Sequence, residues 1–362
     1  MSTEPVAPVD LSGNDWGVFG ADHAVAVLQR AITGGHLAHA YLIAGPSGVG
    51  KATLARRLAQ TLSCAAPLPG PAPCLACRAC RQVETGDAPD IERIAIGGVC
   101  DESGHTDHAA DNSRRLRICQ VRRLERVASL SPFSAPRRIF VIDTADDLQT
   151  EAAHALLKTL EEPPATVLVL LLATDGDALL PTIRSRCQAL VLRPSPVAAL
   201  AAALTATGTD AAQARTVARL ARGRFGLAQR MLADPTLVVL RETVTGDIER
   251  LAAAGRNERF DYAETLAGRW QREREAAVAT LDLWREWWRN ELLVAAGAIT
   301  LDGDGPTMGF SAEEALQAVR AVQQACAHLQ QNTNAQLAIE VMMLDLPVRA
   351  RREARTFATP SP

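Results

Sequence analysis

Apolar residues recur along this chain in two rhythms, and the switch between them divides it. In "GADHAVAVLQRAITGG", residues 20–35, they return every three or four positions, which predicts a helix ended by Gly34 and Gly35. "HAYLIAG", residues 39–45, is a continuous apolar run and reads as a buried strand, followed by a helix from about Gly50 to Cys64. Residues 138–143 and "ATVLVLLLAT", residues 165–174, repeat the strand pattern. Between them "TEAAHALLKTLEEPP", residues 150–164, reads as a helix with Thr150 as N-cap. Pro163 and Pro164 stop it, because the residue before a proline disfavours the α region. Strands alternating with helices predict a parallel three-layer α/β sandwich over residues 1–194.

Beyond that point the strand rhythm disappears. Residues 195–235 are Ala-rich and amphipathic, a small helical lid, and the proline of "ADPTL" marks its end. Residues 236–347 read as helical throughout. In "LDLWREWWRNELLVAA", Trp284, Trp287 and Trp288 share one helical face, which predicts helix–helix core. Glu286 and Glu291 interleave with them and argue against a stacking surface for single-stranded nucleic acid. "DGDGPTMG", residues 302–309, lacks the glutamate of a calcium loop and reads as a turn. Residues 348–362 are basic, end in Pro and Ser, and are expected to be disordered.

Composition narrows the setting. The net charge of −3 over 362 residues gives no global reason to expect a nucleic-acid or membrane binder. The N-terminus shows no basic-then-apolar signal pattern, and no apolar run reaches the ~18 residues that span a bilayer. A cytoplasmic, reducing setting is the expectation, so the eight cysteines are not read as disulfides.

Candidate chemistry centres on "LIAGPSGVGKATLA", residues 42–55. Gly45, Gly48, Gly50 and Lys51 follow a predicted strand and open a predicted helix, the setting in which backbone N–H groups cradle phosphates. The next residue should be Ser or Thr, to hold Mg²⁺, and it is Ala52. Thr53 lies one position on, rotated by about 100° around the helix, and is a poor substitute. Asp143 ends the strand that orders Mg²⁺ in such ATPases, but the neighbour that should activate water is Thr144. Thr174 ends the next strand. Nucleotide and Mg²⁺ binding are therefore expected to be weak or absent.

Cys64, Cys74, Cys77 and Cys80 form a different centre. Two consecutive C-x-x-C steps bring three sulfurs to one ion, and the Pro/Gly-rich loop returns Cys64 as the fourth. Four thiolates suit tetrahedral Zn²⁺ and leave no open position, so the metal would be structural. Iron–sulfur clusters are the rival, with differently spaced runs. Cys100, His105 and His108 suggest a second metal, but the polar, Gly/Asp-rich stretch 96–114 is expected to be a flexible loop.

In this order, "HAYLIAGPSGVGK", the four-cysteine insert, "ALLKTLEEPP" and "SRC" resemble the gamma/tau and delta-prime clamp-loader subunits of bacterial DNA polymerase III, of the AAA+ class. The resemblance covers residues 15–235 strongly and "NTNAQLAIEVMMLDL", residues 332–346, more weakly, as the last helix of the family's collar domain. It implies an AAA+ domain, a lid, and a C-terminal collar for oligomerisation. In "LARGRFGLAQRML", active gamma subunits carry a sensor arginine where this chain has Gly226. With Ala52 and Thr144, that pattern resembles delta-prime, the non-hydrolysing member, for which the long extension of tau is not expected. The resemblance implies that Arg186 of "SRC" acts as an arginine finger on a neighbour's ATP. On spacing alone, Arg186 is a helix-end arginine paired with a carboxylate. The implied partners are gamma/tau and delta subunits and, through them, the sliding clamp and primer-template DNA. Two other readings stay open: a gamma-type ATPase that tolerates Ala52, and a zinc-dependent nucleic-acid binder with a vestigial phosphate loop.

Overall fold

The structure is a computed structural model describing residues 16–66, 70–102, 105–108, 115–297, 308–331 and 333–349. The chain divides into two compact units, one ending at Gln229 and one beginning at Arg230.

The first unit opens with α1 (Asp22–Thr33), β1 (Ala40–Ala44), α2 (Lys51–Ser63) and α3 (Arg78–Thr85). It continues with β2 (Ile91–Ile94), β3 (Val99–Glu102), β4 (His105–Asp107), α4 (Ile118–Ala128) and β5 (Arg138–Ile142). α5 (Thr150–Glu161), β6 (Val167–Ala173), α6 (Pro181–Arg184) and β7 (Gln188–Val191) complete the sandwich. α7 (Val197–Ala206) and α8 (Ala211–Ala221) follow, and α9 (Phe225–Ala233) contains the division between the units. Five strands pair in parallel in the order β2-β5-β6-β1-β7.

The central strands are buried along their whole length, as their unbroken apolar runs require. Side chains alternate between two apolar layers. Leu168, Leu170 and Leu172 of β6 join Ile43, Leu54 and Leu58 on one face. Val169 and Leu171 join Leu42, Phe140 and Leu156 on the other. Pairing sets Ala44 beside Ala173 and Ile142 beside Leu171, so the carboxyl ends of β1, β5 and β6 lie side by side. In open parallel sheets ligands bind outside such ends.

Two local expectations are corrected. Gln149, not Thr150, is the N-cap of α5; Thr150 is already helical and no side chain caps the end. The stretch 96–114 is not simply a loop, because β3 and β4 pair as an antiparallel hairpin. The side chain of His105 and residues 103–104 and 109–114 lie outside what is described.

The second unit is helical: α10 (Thr236–Ala252), α11 (Arg256–Arg272), α12 (Arg274–Ala295), α13 (Ala312–Gln330) and α14 (Ala335–Asp345). Trp284, Trp287 and Trp288 of α12 are buried in its core, with Trp287 set edge-on to Trp288 at 4.9 Å. Glu286 leaves that core to form a two-pronged pair with Arg241 at 3.0 and 3.1 Å. Buried Arg259 donates to the carbonyls of Leu251, Met343, Leu346 and Pro347, tying the end of α14 to α11. Most of the proposed turn (302–307) and of the basic tail (350–362) lies outside the described residues. No helix among the described residues is long and apolar enough to cross a membrane.

Candidate functional site

The glycine loop leaves β1 and enters α2, as a phosphate cradle must. Gly45, Gly48 and Gly50 have φ of 152°, 82° and 108°, a region L side chains rarely enter. Packing forbids larger residues as well. A Cβ at Gly45 would lie 2.4 Å from the Leu192 carbonyl oxygen, and one at Gly48 2.9 Å from Leu227. Lys51 donates to the Gly45 carbonyl and, at 3.2 Å, to that of Pro46. Burial lowers its pKa, against the opposing pull of Asp146 and Asp143. Ala52 is exposed on the first turn of α2 and Thr53 is half-buried beside it.

Asp143 follows β5 and Thr174 follows β6, at strand ends that lie alongside that of β1. Residues that no local motif singles out lie there too. Arg93 of β2 forms an ion pair with Asp143, and Asp146 accepts the Thr174 backbone N–H at 3.0 Å. The Arg93 pair depends on β2 lying next to β5 in the sheet, which no local pattern announces. At the start of α9, the Gly226 N–H donates to the Gly48 carbonyl at 2.9 Å. A Cβ at Gly226 would sit 3.1 Å from that oxygen. Phe225 stacks on Phe19 beside it, ring centres 5.1 Å apart.

The "SRC" segment follows α6. Arg186 is partly exposed, pairs with Glu161 at 2.7 Å and donates to the Thr182 carbonyl at 2.9 Å. Glu161 belongs to "LEEPP", so the two marker motifs meet in this pair. Arg184 turns elsewhere, to Asp177 at 2.7 Å. Burial pushes the Cys187 thiol up to about 12, which makes it a packing residue.

In the cysteine module, the sulfurs of Cys64, Cys74, Cys77 and Cys80 all lie within 4.8 Å of one another. Cys64 closes α2 and Cys77 caps α3, so two helix ends define the cluster. Backbone N–H groups of Cys74, Cys77 and Cys80 donate to the sulfurs of Cys64, Cys74 and Cys77 at 3.4, 3.3 and 3.4 Å. The turn between Cys74 and Cys77 holds Leu75 at φ 57°. The Cys80 N–H lowers the Cys77 thiol to about 6, while burial raises that of Cys80. Buried Gln60 donates to the Cys80 carbonyl at 2.9 Å and so fixes the module to α2. Four converging thiols, stabilised by N–H donors, fit a tetrahedral metal such as zinc.

The family model described as DNA polymerase III, delta subunit, matches residues 20–196. The chain is 32% identical over 170 residues to DNA polymerase III subunit gamma of Buchnera aphidicola subsp. Acyrthosiphon pisum, covering 47% of this chain and 42% of that protein. It is 35% identical over 170 residues to subunit tau of Salmonella typhimurium, covering 47% and 24%. It is 32% identical over 169 residues to subunit delta' of Bacillus subtilis, covering 46% of each. The chain thus spans less than half the length of these relatives, which include gamma, tau and delta' proteins alike.

Proposed function

We propose, on the premise that the chain is a member of the clamp-loader AAA+ family, that it is a delta-prime-type subunit. It hydrolyses no ATP itself and helps load the sliding clamp onto primed DNA. Its partners are gamma/tau and delta subunits, and residues 236–347 form the collar through which they assemble. The observation that carries this reading is the joint occupancy of three positions: Ala52 on the first turn of α2, Thr144 after the strand-end acid, and Gly226 against the loop. Mg²⁺ would lose its hydroxyl ligand, water its base, and the γ-phosphate its cation. Loss of a general base alone costs about 10²–10⁴ in rate. Zinc on Cys64, Cys74, Cys77 and Cys80 is structural, since four protein ligands leave no position for substrate.

What remains for catalysis is Arg186. A guanidinium is always charged and forks onto two phosphate oxygens. Supplied in trans it is worth about 10³–10⁵ at the site it serves. Arg186 is partly exposed, and its partner Glu161 is half exposed, so the pair can exchange for a stronger anion.

The purified chain alone should turn over ATP at background. In a reconstituted complex, Arg186→Ala should lower DNA- and clamp-stimulated ATPase while assembly and zinc content are kept. Turnover by the chain alone, abolished by Lys51→Ala, would instead establish the gamma-type reading, which the retained cradle and the gamma and tau relatives favour.

A further inference from the structure

We propose that Cys100, His108 and Cys119 form a second metal site, independent of the four-cysteine module, for a borderline-soft divalent cation of the zinc class. The three residues come from three segments: Cys100 from β3, His108 from the residue after β4, and Cys119 from the first turn of α4. Their ligand atoms all lie within 4.8 Å of one another, and His108 Nε2 is 2.9 Å from the Cys119 sulfur. All three are buried, at 1%, 6% and 5% exposure. Tetrahedral coordination at Zn–S and Zn–N lengths separates donor atoms by about 3.5–3.8 Å. Admitting the ion therefore parts ring and sulfur by about 0.6–0.7 Å, within the reach of small χ adjustments.

The setting argues for a metal over an ordinary buried S–H···N bond. A two-stranded hairpin is marginal in water unless an apolar face or a staple holds it. Among the described side chains of residues 97–108, Cys100 and His108 alone are buried, while Val99 is 56% exposed. The hairpin offers the core no large apolar residue from this set. What it buries are two metal-ligating side chains, and they meet a third on the helix against which β3 packs. Two thiolates and an imidazole suit a zinc-class ion in a reducing compartment, and one position is left for water. The ion would staple the hairpin to α4.

The test uses the full chain, stripped of metal under reducing, anaerobic conditions and titrated with Co²⁺ and then Zn²⁺. Two equivalents are expected, and the cobalt spectra should differ: one site with four thiolates, one with two. Cys119→Ser and, separately, His108→Ala should each remove one equivalent and spare the four-thiolate spectrum. Cys77→Ser should do the reverse, so failure at one site is distinct from failure at the other. Because a variant can lose its fold, alkylation of the unsubstituted chain supplies a second readout. Bound metal should slow modification of Cys100 and Cys119 at least tenfold. A single equivalent in the unsubstituted chain, equal alkylation with and without metal, or a Cys100–Cys119 disulfide in freshly reduced protein would each overturn the proposal.

Discussion

The phosphate loop and the cysteine module lie at opposite ends of the same helix, α2, and they hold their shape for opposite reasons. In the loop, backbone does the shaping. Gly45 is required because the Leu192 carbonyl leaves no room for a Cβ, and Gly48 because Leu227 does the same. Neither demand involves a nucleotide. The glycines at 45 and 48 are therefore accounted for by packing alone, whatever the loop binds. In the module, side chains do the shaping. Its four sulfurs lie within 4.8 Å of one another, and among the described residues of the Pro/Gly-rich loop between Cys64 and Cys74 only Ala72 and Pro73 are buried. There the ligands draw the segment together. The lesson is that a motif's glycines report packing, while its side-chain ligands report chemistry. In this chain glycines stand at positions 45, 48 and 50, and position 52 is Ala.

The largest effect that follows is metal loss from the module. Binding free energies for structural zinc run to about 10–16 kcal/mol in small peptides. Removing the ion with a chelator, or replacing Cys77 and Cys80 with Ser, should cost the first unit at least about 3 kcal/mol, a fall in Tm of about 6–12 °C. Calorimetry with elemental analysis checks this. A Tm unchanged by demonstrated zinc loss would show that backbone, not ligands, shapes this end of α2 too.

The next effect is smaller and comes from the loop. Gly45→Ala forces a side chain into an unfavourable φ region, at about 1–3 kcal/mol, and against a carbonyl 2.4 Å away. We expect about 2–4 kcal/mol of destabilisation in denaturant melts. Lys51→Ala, next to the same loop, should change stability by less than about 1 kcal/mol, since the loss of its bonds to the Gly45 and Pro46 carbonyls is offset by removing a cation that burial disfavours. If lysine matters more than glycine for folding, the division between packing and chemistry fails.

How far the sequence discloses all this depends on where the information is stored. The strands β1, β5 and β6 are legible because central parallel strands are buried on both faces and so read as apolar runs. The tryptophan face of α12 is legible because helical period alone fixes it. β2 is not: as an edge strand it carries Glu92 and Arg93 inside "IERI", and its role appears only when the sheet order sets Arg93 beside Asp143. The hairpin of β3 and β4 is hidden for a related reason. Among its described side chains the buried ones are Cys100 and, just after β4, His108, and neither is a large apolar residue. Cys119 joins them from α4 across a gap no spacing rule covers. Thr150 has the chemistry of an N-cap, but the helix already includes it and the cap falls on Gln149. In the candidate site, the loop and the four cysteines are local in sequence and legible, whereas Gly226 meeting Gly48 needed the fold.

The smallest effect on stability, and the sharpest on function, concerns Arg186. Its pair with Glu161 joins side chains 35% and 50% exposed, and exposed pairs are worth about 0.2–1 kcal/mol. Arg186→Ala should therefore leave Tm within about 4 °C of the parent. Two accounts of the residue then part ways. If the pair is only a surface brace, Glu161→Gln breaks it as thoroughly as Arg186→Ala, and the two variants should behave alike in every assay. If the guanidinium serves a neighbour's phosphates, Glu161 is a resting partner to be left behind. Glu161→Gln should then leave the ATPase of the assembled complex at or above the parent rate, while Arg186→Ala lowers it sharply. Arg186→Lys should rescue poorly, because an ammonium cannot fork onto two oxygens. Arg184→Ala should lose only the Asp177 pair and serve as the control. Equal clamp-loading rates for Arg186→Ala and Glu161→Gln complexes would reduce the motif to packing, and Arg186 would then join the glycines as a residue retained for shape.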